Sequence, residues 1–324
     1  MSLQLRPYEP ADAEVWDTFC RATHQATFLH SRLFLSYHGD RFQDCSLIIE
    51  EEGSLVGVFP AALNPGDNRS VVSHPGITFG GILHQGGLRG EKMLTALTAI
   101  CRHYFEHEYA KLIYKAVPLF YHTTPAQDDL YALYRLGARR IRCDLSSTID
   151  LQRRLPVSER RKRSLKKARK AGIVIREGNE YLPAFWEIVT DNLERKHKVS
   201  PVHTLAEIVM LAAWLPDNIR CVVGLHADNV VVGSLLFATP VADHAQYIAS
   251  SEFGYEISAL DAVFEHCIAT AASDGKRWFD FGISTENGGL VLNEGLYRFK
   301  SEFGGGGAVH EYFEIDLMEG ENGA

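Results

Sequence analysis

Residues 258–275 read SALDAVFEHCIATAASDG, the clearest helical pattern in the second half of the chain. Its apolar residues recur at helical spacing, which predicts an amphipathic helix. Its first residue and Asp261 have the spacing of a capping box, and Gly275 is expected to end the helix. Two segments typical of strands flank it, AQYIAS at 245–250 and RWFDFG at 277–282. We therefore expect a strand, a helix and a strand in succession.

The same kind of pattern organises the rest of the chain. In the second half we expect helices at 181–198 and 293–303, a hairpin of strands at 220–226 and 229–239, and a last strand at 308–317. In the first half we expect helices at 13–23, 91–105 and 127–136 and strands at 46–50, 55–63, 76–83, 110–117 and 138–145. Both halves then show the order α-β-β-β-α-β-α-β, which indicates a duplicated fold. We therefore predict two domains, at 1–147 and 148–324.

The composition excludes several classes of protein. With 324 residues, 46% of them hydrophobic, the chain can bury a large core and is too apolar to be disordered. No apolar run approaches the roughly 20 residues of a membrane-spanning helix, so no membrane span is expected. The 6 cysteines are dispersed without a C-x-x-C pair, and the first residues lack the pattern of a signal peptide. Both observations favour a cytoplasmic protein with reduced thiols.

Charge is distributed unevenly along the chain. The segment SERRKRSLKKARK at 158–170 has eight basic residues and one acidic residue, although the whole chain has a formal net charge of −8. Ser158 can cap a helix here and Gly172 can end it, so we predict a basic helix at 158–171. It is either a solvated surface helix or a surface for a phosphate-rich partner, such as a nucleotide-linked substrate, coenzyme A or RNA. The negative net charge argues against a general nucleic-acid coat, and no DNA partner is expected.

Three segments resemble a known family: RRKRSLKKARKAGI at 160–173, YIASSEFGYEISALDAVFEHCIATAASDGKRWFDFG at 247–282 and ENGGLVLNEGLYRFKSEFGG at 286–305. The chain resembles the FemABX-like branch of the GNAT superfamily, most strongly over 158–310, and HPGITFGGIL at 74–83 fits more loosely. The resemblance implies an α/β fold of the α+β type. In that fold two tandem GNAT-like domains each have a mixed, mostly antiparallel sheet flanked by helices.

The resemblance also implies roles for particular residues. Members move an acyl group onto an amine, with acyl-CoA as donor in ordinary GNAT enzymes and aminoacyl-tRNA in the Fem-type cell-wall peptidyltransferases. In the Fem-type enzymes the lysine of the G-L-Y-x-F-K motif lies near donor or acceptor phosphates, which implies this position for Lys300. Phe299 and Tyr247 match positions that line the cleft. The pyrophosphate loop Q/R-x-x-G-x-G/A of ordinary GNAT enzymes is missing at 250–260, and the segment at 84–92 only approximates it.

Acyl transfer to an amine needs a proton acceptor, a hydrogen-bond donor for the developing oxyanion, and alignment of the two substrates. We expect Lys300 to serve a phosphate or the oxyanion. We expect Asp280, at the end of a strand, to be a general base or an amine-orienting carboxylate. Tyr247 is expected to donate to a leaving group or carbonyl. The expected binding residues are Tyr255, Asn287, Asn293, Tyr297, Phe299, Arg160, Arg161, Arg163 and His74. Each of these side chains also has a plain structural interpretation, as a cap, a core or rim aromatic, or a surface charge.

The sequence leaves three functions open. The first is an N-acyltransferase that moves an acyl group from acyl-CoA to an amine through a ternary complex without metal; His103 and His107 lack an evident third metal ligand. The second is a Fem-type, aminoacyl-tRNA-dependent peptidyltransferase acting on a cell-wall or nucleotide-sugar precursor. The third is a non-catalytic protein that binds a small molecule. The resemblance implies a role in cell-wall or polysaccharide biosynthesis, whereas the sequence indicates neither the acyl group and the acceptor nor the oligomeric state.

Overall fold

The computed structural model describes residues 3–198 and 200–318 of the chain. The chain forms two compact units, and each is discontinuous in sequence. The first comprises Met1–Asp144, Asn287–Leu290 and Val309–Ala324, and the second comprises Leu145–Glu286 and Val291–Ala308. In this described part of the chain, no helix is long and apolar enough to cross a membrane.

The first unit combines short strands with helices. Its elements are β1 (Leu3–Pro7), α1 (Ala13–Arg21), α2 (Arg32–Leu35), β2 (Leu47–Glu51), β3 (Ser54–Phe59), β4 (Ala62–Asn64), β5 (Asp67–Val72), β6 (Leu83–His84), α3 (Glu91–Glu106), β7 (Lys111–Lys115) and α4 (Asp128–Arg135), after which β8 (Arg139–Asp150) leads into the second unit. The strands pair in the orders β1-β2-β3-β6 and β4-β5-β7. The apolar faces of α3 and α4 pack into one core with Leu47, Ile49, Phe59, Leu112 and Tyr114.

The predicted strand at 76–83 is wrong, because only its last residue belongs to β6. Its glycines are present for another reason, which is close approach of the backbone to neighbouring groups. A Cβ on Gly80 would lie 2.0 Å from the backbone oxygen of Ser73, and a Cβ on Gly76 would lie 2.4 Å from His38 Nε2. The segment therefore crosses closely over its neighbours instead of pairing in a ladder.

The second unit contains the strand–helix–strand succession predicted from residues 245–282. Its elements are α5 (Glu159–Lys170), β9 (Val174–Glu177), α6 (Leu182–His197), α7 (Leu205–Trp214), β10 (Ile219–His226), β11 (Asn229–Ala238), β12 (Ala242–Ser250), α8 (Glu252–Glu256), α9 (Ala259–Ser273), β13 (Trp278–Ile283), β14 (Thr285–Glu286), β15 (Val291–Leu292) and α10 (Glu294–Ser301). The last strand, β16 (Gly306–Asp316), ends in the first unit, where it pairs with β7.

The sheet of the second unit is mixed and mostly antiparallel, as predicted. Its strands follow the order β8-β13-β12-β11-β10-β9, and the pair β12–β13 is parallel while the other neighbours are antiparallel. The turn between β10 and β11 has two successive left-handed residues, Ala227 (φ 47°) and Asp228 (φ 63°), which suits a tight hairpin. Helix α9 covers the sheet with its buried residues Val263, Phe264, Cys267, Ile268 and Ala271, which follow the predicted helical spacing.

An aromatic cluster packs β13 and the end of α10 against α9. Phe264 on α9 makes edge contacts with Phe281 on β13 and with Phe303 just after α10, at centroid distances of 4.9 Å and 5.4 Å. Phe279 and Phe281 alternate with Asp280 along β13, so the strand presents an apolar face to α9 and a polar face opposite. The cluster therefore holds β13 and α10 rigidly against one helix.

The predicted capping box at Ser258 is wrong. Ser258 has a left-handed backbone (φ 60°), and its side chain makes no capping hydrogen bond to α9. Asp261, the expected partner, is instead paired with Arg161 of α5, whose Nη1 lies 2.9 Å from its carboxylate. The basic segment forms a helix as predicted, and Ser158 caps it by accepting a hydrogen bond from the Arg161 N–H at 3.2 Å.

Arg161 anchors α5 to the second unit. Its guanidinium pairs with Asp261 and also with Glu302 at 3.1 Å, and it lies over the ring of Phe299 at 4.8 Å. The side chains of Arg161 and Asp261 are only 6% and 5% exposed. This arginine is therefore part of the structural core, and its predicted role in binding a ligand finds no support in its position.

We predict that Arg161→Ala lowers the free energy of unfolding by about 3 kcal/mol, because it leaves the buried Asp261 carboxylate without its cation. Arg163→Ala removes an exposed arginine from the same helix and is expected to change stability by less than about 0.5 kcal/mol. Urea unfolding followed by circular dichroism compares the two variants. Equal effects would contradict the anchoring role of Arg161.

Candidate functional site

The turn at the end of β13 brings two of the predicted catalytic side chains together. Gly282 has φ +75°, a left-handed conformation that favours glycine. Its N–H donates to Asp280 Oδ1 at 3.2 Å, and its carbonyl oxygen accepts from Lys300 Nζ at 2.9 Å. A Cβ at this position would lie 3.2 Å from His244 Cε1, so close packing also requires a small residue. One glycine therefore links Asp280, Lys300 and His244.

Lys300 lies on α10 with its ammonium group directed into the protein. Its side chain is buried, and Nζ donates to the carbonyl oxygens of Gly282 and Ile283, the latter at 2.7 Å. Burial lowers the pKa of Lys300 to about 8, and the charge of Asp280 partly opposes that shift. An ammonium has three N–H donors, and no group among the described residues accepts the third. A desolvated cation with a spare donor can stabilise a developing oxyanion.

Asp280 is completely buried, and hydrogen-bond donors surround its carboxylate. Oδ1 accepts from the hydroxyl of Ser146, from Thr148 Oγ1 at 3.1 Å and from the Gly282 N–H. Oδ2 lies 2.7 Å from Nδ1 of His244. With 0% of its surface exposed, Asp280 reaches a substrate only through a neighbouring group. Its position therefore favours the orienting role over direct proton transfer.

His244 is a candidate functional residue that the sequence analysis missed. It lies one residue before the predicted strand at 245–250, within β12, and nothing local marks it as functional. Strand register explains its position, since His244 is opposite Asp280 across the parallel pair and Thr148 is opposite Asp280 across the antiparallel pair β8–β13. The three side chains therefore lie side by side on one face of the sheet.

The strands β12 and β13 separate directly after this row. Their pairing covers residues 242–244 of β12 and 278–280 of β13. Beyond His244, β12 continues along β11 to Ser250, whereas β13 turns at Gly282. Open sheets bind ligands in such crevices, at the carboxyl ends of parallel strands. The candidate site is therefore the crevice between β12 and β13, which begins at His244 and Asp280.

The two predicted tyrosines occupy different surroundings. Tyr247 is on β12, where its hydroxyl lies 2.7 Å from Nδ1 of His203 and its ring packs against Trp186. Burial raises the pKa of Tyr247 to about 12, which keeps the phenol protonated and able to donate. Tyr255 is 47% exposed on α8, with its hydroxyl 3.5 Å from Asn192 Oδ1. The roles predicted for both tyrosines stay predictions.

Among the predicted residues of the loop and helix at 286–301, Asn293 and Phe299 have structural partners. Asn293 caps α10, because its Oδ1 accepts from the Leu296 N–H at 3.0 Å, and its amide donates to Glu286 at 2.9 Å. Asn287 is exposed with a left-handed backbone (φ 48°). Phe299 packs in the aromatic cluster, 5.4 Å from Phe303. Tyr297, half-buried on the same helix, stays a predicted binding residue.

Most of the basic residues of α5 face solvent. Arg160 and Arg163 are exposed, as are Lys162, Lys166, Lys167, Arg169 and Lys170. Among the described residues, the one acidic partner of this set is Glu159, which accepts from Lys162 at 2.7 Å. The helix therefore presents a broad, nearly unpaired cationic surface, which suits a polyanion.

His74 belongs to the first unit. It is 4% exposed, its ring packs 5.2 Å from that of His38, and burial holds the pKa of His74 well below its usual range. Its backbone oxygen accepts from the buried Lys115 at 3.3 Å. The predicted acceptor-binding role of His74 stays a prediction. Within the ranges that the structure describes, no group of three or more His, Cys, Asp and Glu side chains could hold a metal ion.

The helix N-termini bear on which donor can bind. Before α3, the Gly90 N–H already donates to Asp128 Oδ1 at 2.8 Å, where a coenzyme A pyrophosphate would need a free donor. In the second unit, α8 begins with the acidic Glu252, and α9 has the buried Asp261 in its first turn. Glu252 is paired with Arg195, and Asp261 is paired with Arg161. A carboxylate is therefore already present at or near the N-terminus of each of these three helices.

Comparisons with known proteins agree with this geometry at the level of the fold. No family model matches the chain, and no curated protein matches its sequence. Among solved structures, FemX is similar with a TM-score of 0.69 at 11% identity, over 97% of each chain. L-PGS from Bacillus licheniformis has a TM-score of 0.63 at 11% identity, over 94% of this chain and 91% of that one. A tandem GNAT protein of the clavulanic acid biosynthesis pathway has a TM-score of 0.53 at 13% identity, over 98% and 99%. The chain therefore shares the fold of these structures, in agreement with the mixed, mostly antiparallel GNAT-like fold that its sequence predicted.

Proposed function

We propose that this chain is an acyltransferase that moves an acyl or aminoacyl group from an activated donor to an amine, through a ternary complex. One observation carries the proposal: a desolvated lysine and a buried carboxylate–histidine pair lie at the turn where β12 and β13 separate. The tandem GNAT fold supports it, since the structures that share this fold include GNAT and Fem-type proteins.

The proposed reaction assigns different tasks to the two parts of the site. The donor carbonyl lies in the crevice between the strands, with its oxygen toward the third N–H of Lys300. The ammonium then stabilises the negative charge that develops as the amine attacks. The Gly282 turn fixes Lys300 relative to the crevice, because both carbonyl oxygens that hold its Nζ belong to residues of that turn. The acceptor amine approaches from the side of His244 and Asp280.

Two donors suit this site. Acyl-CoA is the donor of ordinary GNAT enzymes and is the first candidate. Aminoacyl-tRNA is the second, and the nearly unpaired cationic surface of α5 favours it. Under either donor the acceptor is a small amine, and a nucleotide-linked cell-wall or polysaccharide precursor fits the family resemblance.

We predict that Lys300→Met lowers kcat for acyl transfer by about 100- to 1000-fold, the usual cost of one oxyanion donor, with little change in KM for the donor. Because burial lowers the pKa of Lys300 to about 8, the wild-type rate should also fall as pH rises through about 8, and this limb should vanish in the variant. Lys92→Met, an exposed lysine of α3, is the matched control. Thermal unfolding verifies that both variants fold.

A wild-type rate that stays level to pH 10, or a Lys300→Met variant with full kcat, would remove Lys300 from the reaction. Binding of a donor without any transfer to amines would favour the third function, a non-catalytic binding protein.

The donor can be identified by how binding depends on salt. If aminoacyl-tRNA is the donor, replacing Arg163, Lys166 and Lys170 with Ala should weaken binding of a charged tRNA pool. The slope of log K against log salt concentration should then become shallower by about one for each phosphate that the variant no longer neutralises. Replacing three exposed cations of the first unit, Lys92, Arg102 and Arg135, is the control for net charge. Fluorescence anisotropy of labelled tRNA measures the affinity and its salt dependence for both triple variants.

An unchanged salt slope, with transfer from acetyl-CoA and none from charged tRNA, would identify acyl-CoA as the donor and exclude the tRNA-dependent reaction.

A further inference from the structure

We infer that Nε2 of His244 is the base that takes the proton from the acceptor amine, with Asp280 as the positioning residue that fixes its tautomer. This inference rests on the proposed function and adds to it a catalytic residue that neither the motifs nor the family resemblance identified. It follows from hydrogen bonding, register and exposure in the second unit.

The carboxylate determines which nitrogen of His244 carries the proton. Asp280 accepts hydrogen bonds on Oδ1 from two hydroxyls and a backbone N–H, so this oxygen is occupied by donors. Its Oδ2, 2.7 Å from Nδ1 of His244, then requires a donor from the ring. His244 therefore has its proton on Nδ1 and a lone pair on Nε2, which is the form that a general base needs.

His244 is also placed to reach a substrate, unlike Asp280. Its side chain is 13% exposed, whereas that of Asp280 is 0% exposed. No group among the described residues bonds to Nε2. The ring lies against Gly282, where the missing side chain leaves room for it, at the point where β12 and β13 separate. A proton can therefore pass to Nε2 from an amine in the crevice.

The surroundings of His244 contain few competing charges. Asp280 on β13 contacts it directly, and Lys300 on α10 donates to the carbonyl oxygen of Gly282, the residue against which the ring packs. β8 contributes the hydroxyls of Ser146 and Thr148 to this row and carries the buried Asp144 two residues before Ser146, and Phe237 of β11 is opposite His244 in register. Asp243, the preceding residue, is paired with Arg220 at 3.5 Å. Asp280 is thus the group that governs the ring.

The step balances with the proposed reaction. The acceptor ammonium gives one proton to Nε2 of His244, and its neutral nitrogen attacks the donor carbonyl carbon to form an N–C bond. The C–S or C–O bond to the leaving group then breaks, and its electron pair stays on sulfur or oxygen. That atom takes the second amine proton. His244 returns to its neutral form by releasing the first proton to water.

Single-turnover transfer across pH 6–10, with donor and amine saturating, tests this inference. We expect His244→Gln to slow the chemical step by about 100-fold or more and to leave donor affinity within about twofold. Without the base, the remaining rate should follow the fraction of the amine that is already neutral. Added imidazole should restore part of the rate to His244→Ala. His266→Gln, an exposed histidine of α9, is the matched control.

A second measurement reports on the pair without any turnover. In protein with ¹⁵N-labelled histidine, the ring signals of His244 are identified as those that disappear in the His244→Gln variant. In the wild type these signals should be those of the Nδ1–H tautomer. Asp280→Asn should shift that ring toward the Nε2–H tautomer and slow transfer, because the lone pair then faces away from the amine.

The outcomes separate the two levels of the proposal. Wild-type protein that transfers no acyl group from acetyl-CoA or charged tRNA overturns the proposed function, and the base with it. Active wild type, with a His244→Gln variant that keeps its rate and pH profile, overturns the role of His244 alone. An Nε2–H tautomer in the wild type has the same consequence.

Discussion

The hydrogen bonds of the Asp280 carboxylate are the constraint on which the candidate site depends. A buried carboxylate is costly unless donors satisfy it, and here the donors come from β8, β12 and the Gly282 turn. These hydrogen bonds fix the register of three neighbouring strand segments and the orientation of the imidazole ring of His244. The same turn holds the ammonium of Lys300 through its carbonyl oxygens. One buried charge thus organises both sides of the crevice.

The other face of β13 gives this arrangement its rigidity. Phe279 and Phe281 point away from Asp280 and pack against Phe264 of α9. Phe303 contacts the same helix residue and closes the cluster behind α10. A strand with one apolar and one polar face is thereby held between a dry core and the site. Such support keeps functional groups in place without help from a ligand.

The sequence predicted those features that depend on neighbouring residues. The spacing of apolar residues located α9. The position of Asp280 at a strand end and the F-K motif of Lys300 marked these two as candidate residues, and the structure places both at the Gly282 turn. His244 was missed because it meets Asp280 through the register of a parallel pair, across 36 positions of sequence.

Burial of Arg161 was missed for a similar physical reason. In sequence it is one of a run of basic residues, and its acidic partner, Asp261, is 100 positions away. The strand expected at 76–83 failed because its glycines serve close backbone approach, which an alternating pattern does not reveal. Interactions between distant segments therefore account for what the sequence left undetermined.

The most direct measurement is a crystal structure of the protein with an unreactive analogue of the donor that supports transfer. The donor carbonyl should lie between β12 and β13, with its oxygen about 3 Å from Lys300 Nζ and its carbon facing the crevice side of His244. A donor bound elsewhere, with Lys300 and His244 out of reach of its carbonyl, would rule out the proposed roles of both residues.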